Sequence, residues 1–129
     1  MTFTRTVFVL AVLGGVPATA SAVTMDCSIH PGAGSSAAAL KAMTKLTQDA
    51  AQEIALSSYG ATRLKVTEAE LEAENGCLVY SFDVRVAGRS GIDEVLVDAG
   101  NGKVLQRNHE SPKQEADEAT ADKARTPHS

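Results

Sequence analysis

Apolar and polar residues alternate most regularly between residues 77 and 86 of this chain. The apolar members of the series are Leu78, Tyr80, Phe82, Val84 and Val86. A period of two is typical of a β-strand that buries one face, so this segment predicts the central strand of a sheet. Residues 92–97 predict a further strand, and residues 64–71 predict one with a bulge near residues 67–68, where the apolar positions change parity. Turn-favouring segments lie at residues 74–76 and 87–91.

A distinctive turn follows the strand predicted at residues 92–97. Asp98 ends that strand, and its carboxylate can accept hydrogen bonds from backbone amides two residues on. Gly100, Asn101 and Gly102 tolerate the positive φ that a tight turn requires. We therefore predict a structural turn at Asp98, Gly100 and Gly102, which closes a last hairpin.

A helical period is found between residues 48 and 59, where small or apolar side chains share one stripe. They are Ala50, Ala51, Ile54, Ala55 and Ser58. Their spacing predicts a helix with Thr47 as its N-cap. Residues 37–43 predict a helical stretch capped by Ser35 or Ser36, and the pattern leaves open whether the two stretches form one rod or break at Thr47. The predicted fold class is α+β, with one main helix packed on a three- to four-stranded antiparallel sheet.

The first residues carry the features of a secretory signal peptide. Arg5 precedes an apolar run of about ten residues, 7–16, and small residues follow. Cleavage after Ala20 or after Ala22 satisfies the small-x-small rule equally well, so residues 1–22 are predicted as the signal peptide. A retained anchor is the alternative, but a bilayer requires roughly twenty apolar residues. We therefore expect an exported protein, periplasmic or secreted, with no stable membrane insertion after cleavage.

Charge and composition narrow the class of partner. The 129 residues include 12 Lys and Arg, 16 Asp and Glu, and no Trp. Arg5 is the one charged residue of the predicted signal peptide, so its removal leaves eleven basic against sixteen acidic residues, a formal charge of −5. Negative charge disfavours nucleic acids and anionic membranes, and the scarcity of aromatic residues disfavours stacking on bases or sugars. The composition favours a single small domain that binds a protein partner or a small ligand.

Two cysteines, Cys27 and Cys77, follow the predicted signal peptide. An even pair in an exported protein is usually oxidised, so we predict a Cys27–Cys77 disulfide. It would close a loop of about fifty residues, worth about 4 kcal/mol by loop-closure entropy, and would pin an N-terminal arm, residues 23–45. The alternative is a metal site, because Cys27 and His30 have Cys-x-x-His spacing, and Cys77 or His109 could add ligands. We predict the disulfide, with no metal and no cofactor.

The second face of the central strand is a candidate interaction surface. It would present Val79, Ser81, Asp83 and Arg85, a set that is only partly polar. A solvated face is one interpretation, and a docking surface for a partner is the other. An exposed edge strand could also add to the sheet of a partner through backbone pairing.

The reactive side chains do not assemble a catalytic set in the sequence. His30 and His109 fall in segments predicted to be irregular, and His128 is the penultimate residue. An acidic residue occupies every second position of one predicted strand and its turn: Glu68, Glu70, Glu72 and Glu74. This row predicts a solvated face, with weak cation binding as the alternative. We therefore expect a non-catalytic protein.

The last part of the chain is polar and lacks periodic apolar residues. This composition predicts a disordered polar tail over residues 108–129.

Three of these segments together resemble the PepSY domain, a small module of thermolysin-type peptidase propeptides and of many bacterial envelope proteins. They are the helix at residues 47–56, the strand at 78–84 and the closing hairpin at 97–105, and the resemblance extends over residues 46–107. Such modules usually carry Thr where this chain has Asn101, which suits the turn at least as well.

The resemblance implies a function as well as a fold. It implies a regulator or inhibitor of an envelope or secreted peptidase that acts by protein contact. The alternative that it implies is an envelope sensor or accessory module that binds a small ligand, a metal or a redox partner.

Overall fold

The computed structural model of this chain describes residues 25–60 and 63–125. Two helices come first, α1 (Ala37–Met43) and α2 (Gln48–Ser57). Four strands follow, β1 (Leu64–Glu74), β2 (Cys77–Val86), β3 (Ile92–Asp98) and β4 (Val104–Glu110), and then a helix, α3 (Pro112–Arg125). The predicted signal peptide, residues 1–22, lies outside the described residues, so its cleavage and the export of the protein stay predictions.

The four strands form one antiparallel sheet in the order β1-β2-β3-β4. Each strand therefore pairs with its neighbour in sequence, and β1 and β4 are the two edges of this sheet. The predicted bulge is confirmed, because the register of β1 against β2 shifts between Val66 and Glu68. The predicted hairpin between β1 and β2 is also confirmed: Asn75 and Gly76 have φ values of 49° and 79°. Two successive residues with positive φ are what a two-residue hairpin turn requires.

The helical part corrects the prediction of one main helix, since the described residues of this α+β fold form three helices. Chain direction changes after α1 at Thr44, whose ψ of 143° is extended. The amides of Lys45 and Leu46 donate to the Ala99 carbonyl at 2.9 and 3.1 Å. Because these hydrogen bonds tie the link to the β3–β4 turn, α1 and α2 do not continue as one rod.

Both helices begin where the sequence predicts. Ser36 Oγ accepts a hydrogen bond from the Ala39 amide at 3.2 Å, and Thr47 Oγ1 accepts one from the Ala50 amide at 3.1 Å. Each side chain satisfies an amide that the first helical turn leaves without a partner.

Apolar residues are buried on both faces of the sheet. One face, which we call the helix face, packs against α2 through Ala51 and Ala55. Its largest buried side chains are Leu78, Tyr80, Phe82, Val84, Val95 and Val97. On the opposite face, which we call the arm face, Cys77, Val79 and Leu96 are buried beneath Met25, Cys27 and Leu105. Of the N-terminal arm predicted at residues 23–45, residues 25–30 lie across one end of the arm face. From here on, "the arm" means these six residues.

Over residues 108–125 the structure differs from the disordered tail predicted for residues 108–129, and the remainder of that prediction lies outside the described residues. The last strand continues beyond residue 107, and α3 follows it. The Ser111 amide donates to Gln114 Oε1 at 2.9 Å, and the Gln114 amide donates to Ser111 Oγ at 3.4 Å, so the two residues cap the helix reciprocally. Lys113 Nζ lies 2.7 Å from Asp117 Oδ2 one turn later. Helix prediction from hydrophobic periodicity depends on a buried apolar stripe, and this largely solvated helix, with its cap and its i,i+4 ion pair, has none.

Candidate functional site

Asp98 organises the turn between β3 and β4. Its side chain is fully buried. Its Oδ1 accepts hydrogen bonds from the amides of Gly100 and Asn101 at 2.7 and 3.1 Å. Gly102 has a φ of 77°, whereas the turn does not require a positive φ at Gly100 or Asn101. The three predicted turn residues therefore act differently: Asp98 as an acceptor, Gly102 through its backbone conformation, and Gly100 through the space that it leaves.

The same carboxylate binds the arm. Ser28 donates its amide to Asp98 Oδ2 at 2.7 Å and its hydroxyl to Asp98 Oδ1 at 2.6 Å. One residue further on, the Ile29 carbonyl accepts a hydrogen bond from the Leu78 amide at 3.0 Å. These contacts, which we call the arm clasp, fix the position of the arm relative to β2 and the turn.

Burial by itself raises the pKa of the Asp98 carboxyl, because a charge is costly away from water. The hydrogen bonds from Ser28, Gly100 and Asn101 outweigh that effect and hold the pKa below its ordinary value. Asp98 is therefore ionised at neutral pH, and both the turn and the arm donate hydrogen bonds to its carboxylate.

Gly100 leaves room for the arm to approach the turn, and we predict that Gly100→Ala destabilises the protein by about 1 to 3 kcal/mol. A Cβ at this position would contact Ser28 Oγ and would lie 2.9 Å from Ile29 Cδ1. Equilibrium unfolding in urea measures the change. Gly32→Ala is the matched control for glycine replacement, because, as at Gly100, its φ is not positive, and the nearest atom to a Cβ there is Ser35 Oγ at 3.9 Å. Equal losses in both variants would contradict a steric role for Gly100.

The structure contains the predicted disulfide. Cys27 and Cys77 are bonded, with their Cα atoms 5.9 Å apart. His30 Nδ1 lies 3.6 Å from Cys27 Sγ and 3.1 Å from the Gly76 carbonyl oxygen. Three of the four residues considered as metal ligands are thus together, and His109 is elsewhere, on β4.

The candidate interaction surface on β2 is less open than predicted. Val79 is fully buried, and Asp83 is 5% exposed. Ser81 is half-buried, and Arg85 is exposed, with its guanidinium 3.5 Å from Glu115 Oε2 of α3. The arm covers one end of this face and α3 approaches the other, an arrangement that strand periodicity alone does not predict.

The four acidic residues that alternate along β1 lie on the arm face and are called the acidic row: Glu68, Glu70, Glu72 and Glu74. Burial, together with the smaller effect of the neighbouring carboxylates of Glu74, Glu94 and Glu70, raises the pKa of Glu72 to about 8. Burial also raises the pKa of Glu74. The row is therefore not simply solvated, since one of its carboxyl groups is largely protonated at neutral pH.

We predict that the free energy of unfolding of the wild type falls as pH rises from about 5 to 8. In Glu72→Gln this fall should be absent. The folded pKa lies above the unfolded one, so in this range the native state binds more protons and stability falls as pH rises. Partial exposure limits the effect to about 1 to 2 kcal/mol. Urea unfolding at several pH values measures it, with Glu53→Gln on α2 as the control. A wild type and a Glu72→Gln variant with parallel pH profiles would refute the prediction.

A second polar cluster was missed by the sequence analysis. It is centred on Asp93, which is only 3% exposed. Asp93 Oδ1 lies 2.7 Å from His109 Nδ1, and Asp93 Oδ2 accepts a hydrogen bond from the Tyr59 hydroxyl at 3.0 Å. Arg89 lies 3.3 Å from the same carboxylate, and the Arg107 guanidinium stacks 4.1 Å from the centre of the Tyr59 ring.

These contacts set the ionisation of the cluster. Burial raises the pKa of Asp93, but the hydrogen bonds from His109 and Tyr59 and the charge of Arg89 outweigh it and lower the pKa. Burial, together with the hydrogen bond to Asp93, raises the pKa of Tyr59 to about 12. A carboxylate, an imidazole and two guanidinium groups therefore meet at one end of the helix face.

One signal in the sequence could have revealed this cluster. Asp93 shares the parity of Val95 and Val97, so it is a charged residue on the buried face of its strand. The sequence predicts an irregular segment around His109, because its place on β4 opposite Asp93 depends on a strand register that includes a shift between Leu96 and Val97.

Comparison with known proteins agrees with the architecture. Residues 45–107 match the family model of PepSY, described as the peptidase propeptide and YPEB domain. No curated protein and no solved structure matches this chain significantly. Among the helices of the described residues, none has the length and apolar character needed to cross a membrane. The matched segment includes α2, β1, β2 and β3 and the start of β4, and residues 45–107 of this chain therefore form a domain of the PepSY family.

Proposed function

We propose that this protein is an exported, non-catalytic module that restrains an envelope or secreted peptidase through protein contact. The observation that carries the proposal is the PepSY match over residues 45–107, because that family is described by its occurrence in peptidase propeptides. The signal peptide predicted at residues 1–22 and the disulfide support an oxidising compartment outside the cytoplasm. The peptidase is the partner that this combination favours.

The edge strand β1 is the contact surface that the geometry supports best. None of its eleven residues is buried, whereas most of the neighbouring strand β2 is. An edge strand offers unpaired backbone groups to an extended segment of another protein. The arm and α3 lie over the arm face, which leaves the outer side of β1 for a peptidase segment.

The experiment begins with capture of peptidases from an envelope extract by the oxidised protein. Hydrolysis of a peptide substrate by the captured peptidase is then measured as more protein is added. We expect the rate to fall and to saturate at a fixed ratio of protein to peptidase. If the protein leaves the rate of every captured peptidase unchanged, the proposed function is wrong.

Two proline variants, Ala69→Pro and Glu70→Pro, test whether a peptidase segment pairs with the outer backbone groups of β1. Amides of adjacent strand residues point alternately toward β2 and away from it, so one of the two variants keeps the β1–β2 ladder intact. The variant that retains its melting temperature is expected to inhibit at least about tenfold more weakly. Asn108→Ala, exposed on the opposite edge strand, is the control. Unchanged inhibition by the stable proline variant would place the contact elsewhere.

Ligand sensing is the second candidate function, and the cluster around Asp93 favours it. The imidazole of His109 and the guanidinium of Arg89 are both about half exposed, so they are open to a small anion. Acetate or phosphate would then raise the melting temperature of the wild type more than that of Arg89→Ala. Equal shifts in both proteins would exclude the cluster as the anion site.

A further inference from the structure

The disulfide and one imidazole form a compact group of ligands for thiophilic metals. Cys27, His30 and Cys77 each offer one ligand atom, and these atoms all lie within 4.8 Å of one another. Cys27 Sγ and His30 Nδ1 are 3.6 Å apart. A tetrahedral zinc ion with Zn–S bonds of about 2.3 Å and Zn–N bonds of about 2.0 Å holds its sulfur and nitrogen ligands roughly 3.5 Å apart. The separation of Cys27 Sγ from His30 Nδ1 therefore already suits a shared ion, and the two sulfurs, which are bonded to each other here, have to move apart.

We propose that reduction of the Cys27–Cys77 bond converts this group into a three-ligand site for a thiophilic d¹⁰ ion, Zn²⁺ or Cu⁺. Thiolate ligands select these ions over the hard cations, and imidazole suits both. In the oxidised protein the two sulfurs are bonded to each other, so they are not thiolate ligands. The disulfide thus determines whether the site exists.

The reductive step requires a dithiol donor, such as a thiol–disulfide oxidoreductase. One donor thiolate attacks Cys27 Sγ, the Sγ–Sγ bond breaks, and the second donor thiol resolves the mixed disulfide. Two electrons and two protons pass to the protein, which gains two thiols, while the donor becomes a disulfide. Metal binding then releases the thiol protons to solvent. Cys27 is the accessible sulfur, because its residue is only half-buried whereas Cys77 is 1% exposed.

The arm clasp keeps the ligands together after reduction. Ser28 is held by Asp98 through two hydrogen bonds, of 2.7 and 2.6 Å, directly beside Cys27. The Ile29 carbonyl accepts from the Leu78 amide at 3.0 Å, directly beside His30 and Cys77. Since neither contact involves the sulfurs, loss of the disulfide leaves the positions of the arm and β2 fixed.

The imidazole is free to change partner. His30 is exposed, and its Nδ1 lies 3.1 Å from the Gly76 carbonyl oxygen at the β1–β2 hairpin. A metal ion would replace that contact with a bond to the imidazole, and water would complete the coordination of Zn²⁺ from the solvent side.

The test measures metal binding by the purified protein before and after reduction with a phosphine that is then removed under nitrogen. Zn²⁺ and Cu⁺ are each titrated against a colorimetric chelator, and circular dichroism records whether the reduced protein keeps its sheet. We expect one equivalent of metal in the reduced wild type and none in the oxidised protein. His30→Ala should weaken metal binding by more than about tenfold. Mutating a residue that only hydrogen-bonds to a metal ligand already lowers metal affinity by about 10- to 100-fold, and His30 would be a ligand itself.

The control variant is His109→Gln, since His109 lies on β4 opposite Asp93, far along the sheet from Cys77. It should bind metal like the wild type. The proposal is overturned if the reduced protein binds neither ion, if His30→Ala binds as tightly as the wild type, or if the reduced protein loses its sheet. These outcomes are independent of peptidase inhibition, which is measured on the oxidised protein.

Discussion

Replacing both cysteines by alanine is expected to lower the free energy of unfolding by about 4 kcal/mol without changing the fold. The bond joins residues separated by 50 positions, so its loss frees a long loop in the unfolded chain. A domain of this size has a total stability of about 5 to 15 kcal/mol, so the variant remains folded but becomes much easier to denature. The arm clasp is the reason that the native structure survives.

Urea unfolding followed by circular dichroism measures this effect on the Cys27→Ala/Cys77→Ala variant. The reduced wild type is the matched comparison, because it lacks the bond but keeps both sulfurs. The two proteins should lose similar stability, within about 1 kcal/mol, since most of the effect arises in the unfolded chain. A loss below about 1 kcal/mol in both would show that the unfolded state is already restricted without the bond.

The parts of the fold that could be predicted from sequence depend on local patterns. The alternation through Phe82 identifies β2, the change of parity before Ala69 identifies the bulge, and Thr47 marks the start of α2. In each case the residue's own neighbours in sequence determine the backbone geometry. The disulfide was predictable for a different reason, since a chain that is predicted to be exported and has two cysteines has one possible pairing within it.

The parts that could not be predicted depend on which segments meet in space. Val79 looked like a solvent-facing residue because it lies opposite the helix face, and its burial follows from the arm, which the clasp at Asp98 draws across the sheet. His109 lies beside Asp93 only because the register of β3 against β4 places the two residues opposite each other. The parity of Asp93 within its strand marks one member of that cluster, but the contacts join different segments, so no single segment carries a signature of the whole site.

Asp98→Ala is expected to lower the free energy of unfolding by about 3 to 5 kcal/mol at neutral pH, because it leaves three backbone amides without their acceptor. Those amides belong to Ser28, Gly100 and Asn101. The variant should also loosen the arm beyond Cys27, which the disulfide still holds, and hydrogen exchange at the Leu78 amide would report this as faster exchange. Ser28→Ala is the matched control: it removes the hydroxyl that binds Asp98 but keeps the amide, and it should cost only about 1 kcal/mol.

The pH dependence of the same variant distinguishes the carboxylate charge from the space that it fills. The folded pKa of Asp98 is lowered, so its stabilising contribution is complete above its ordinary pKa of about 4 and is lost as pH falls through the lowered value. Unfolding experiments between pH 2 and 7 should therefore show a steeper acid loss in the wild type than in Asp98→Ala. If the two profiles run parallel, the turn depends on the shape of the side chain, and its charge does not hold the arm.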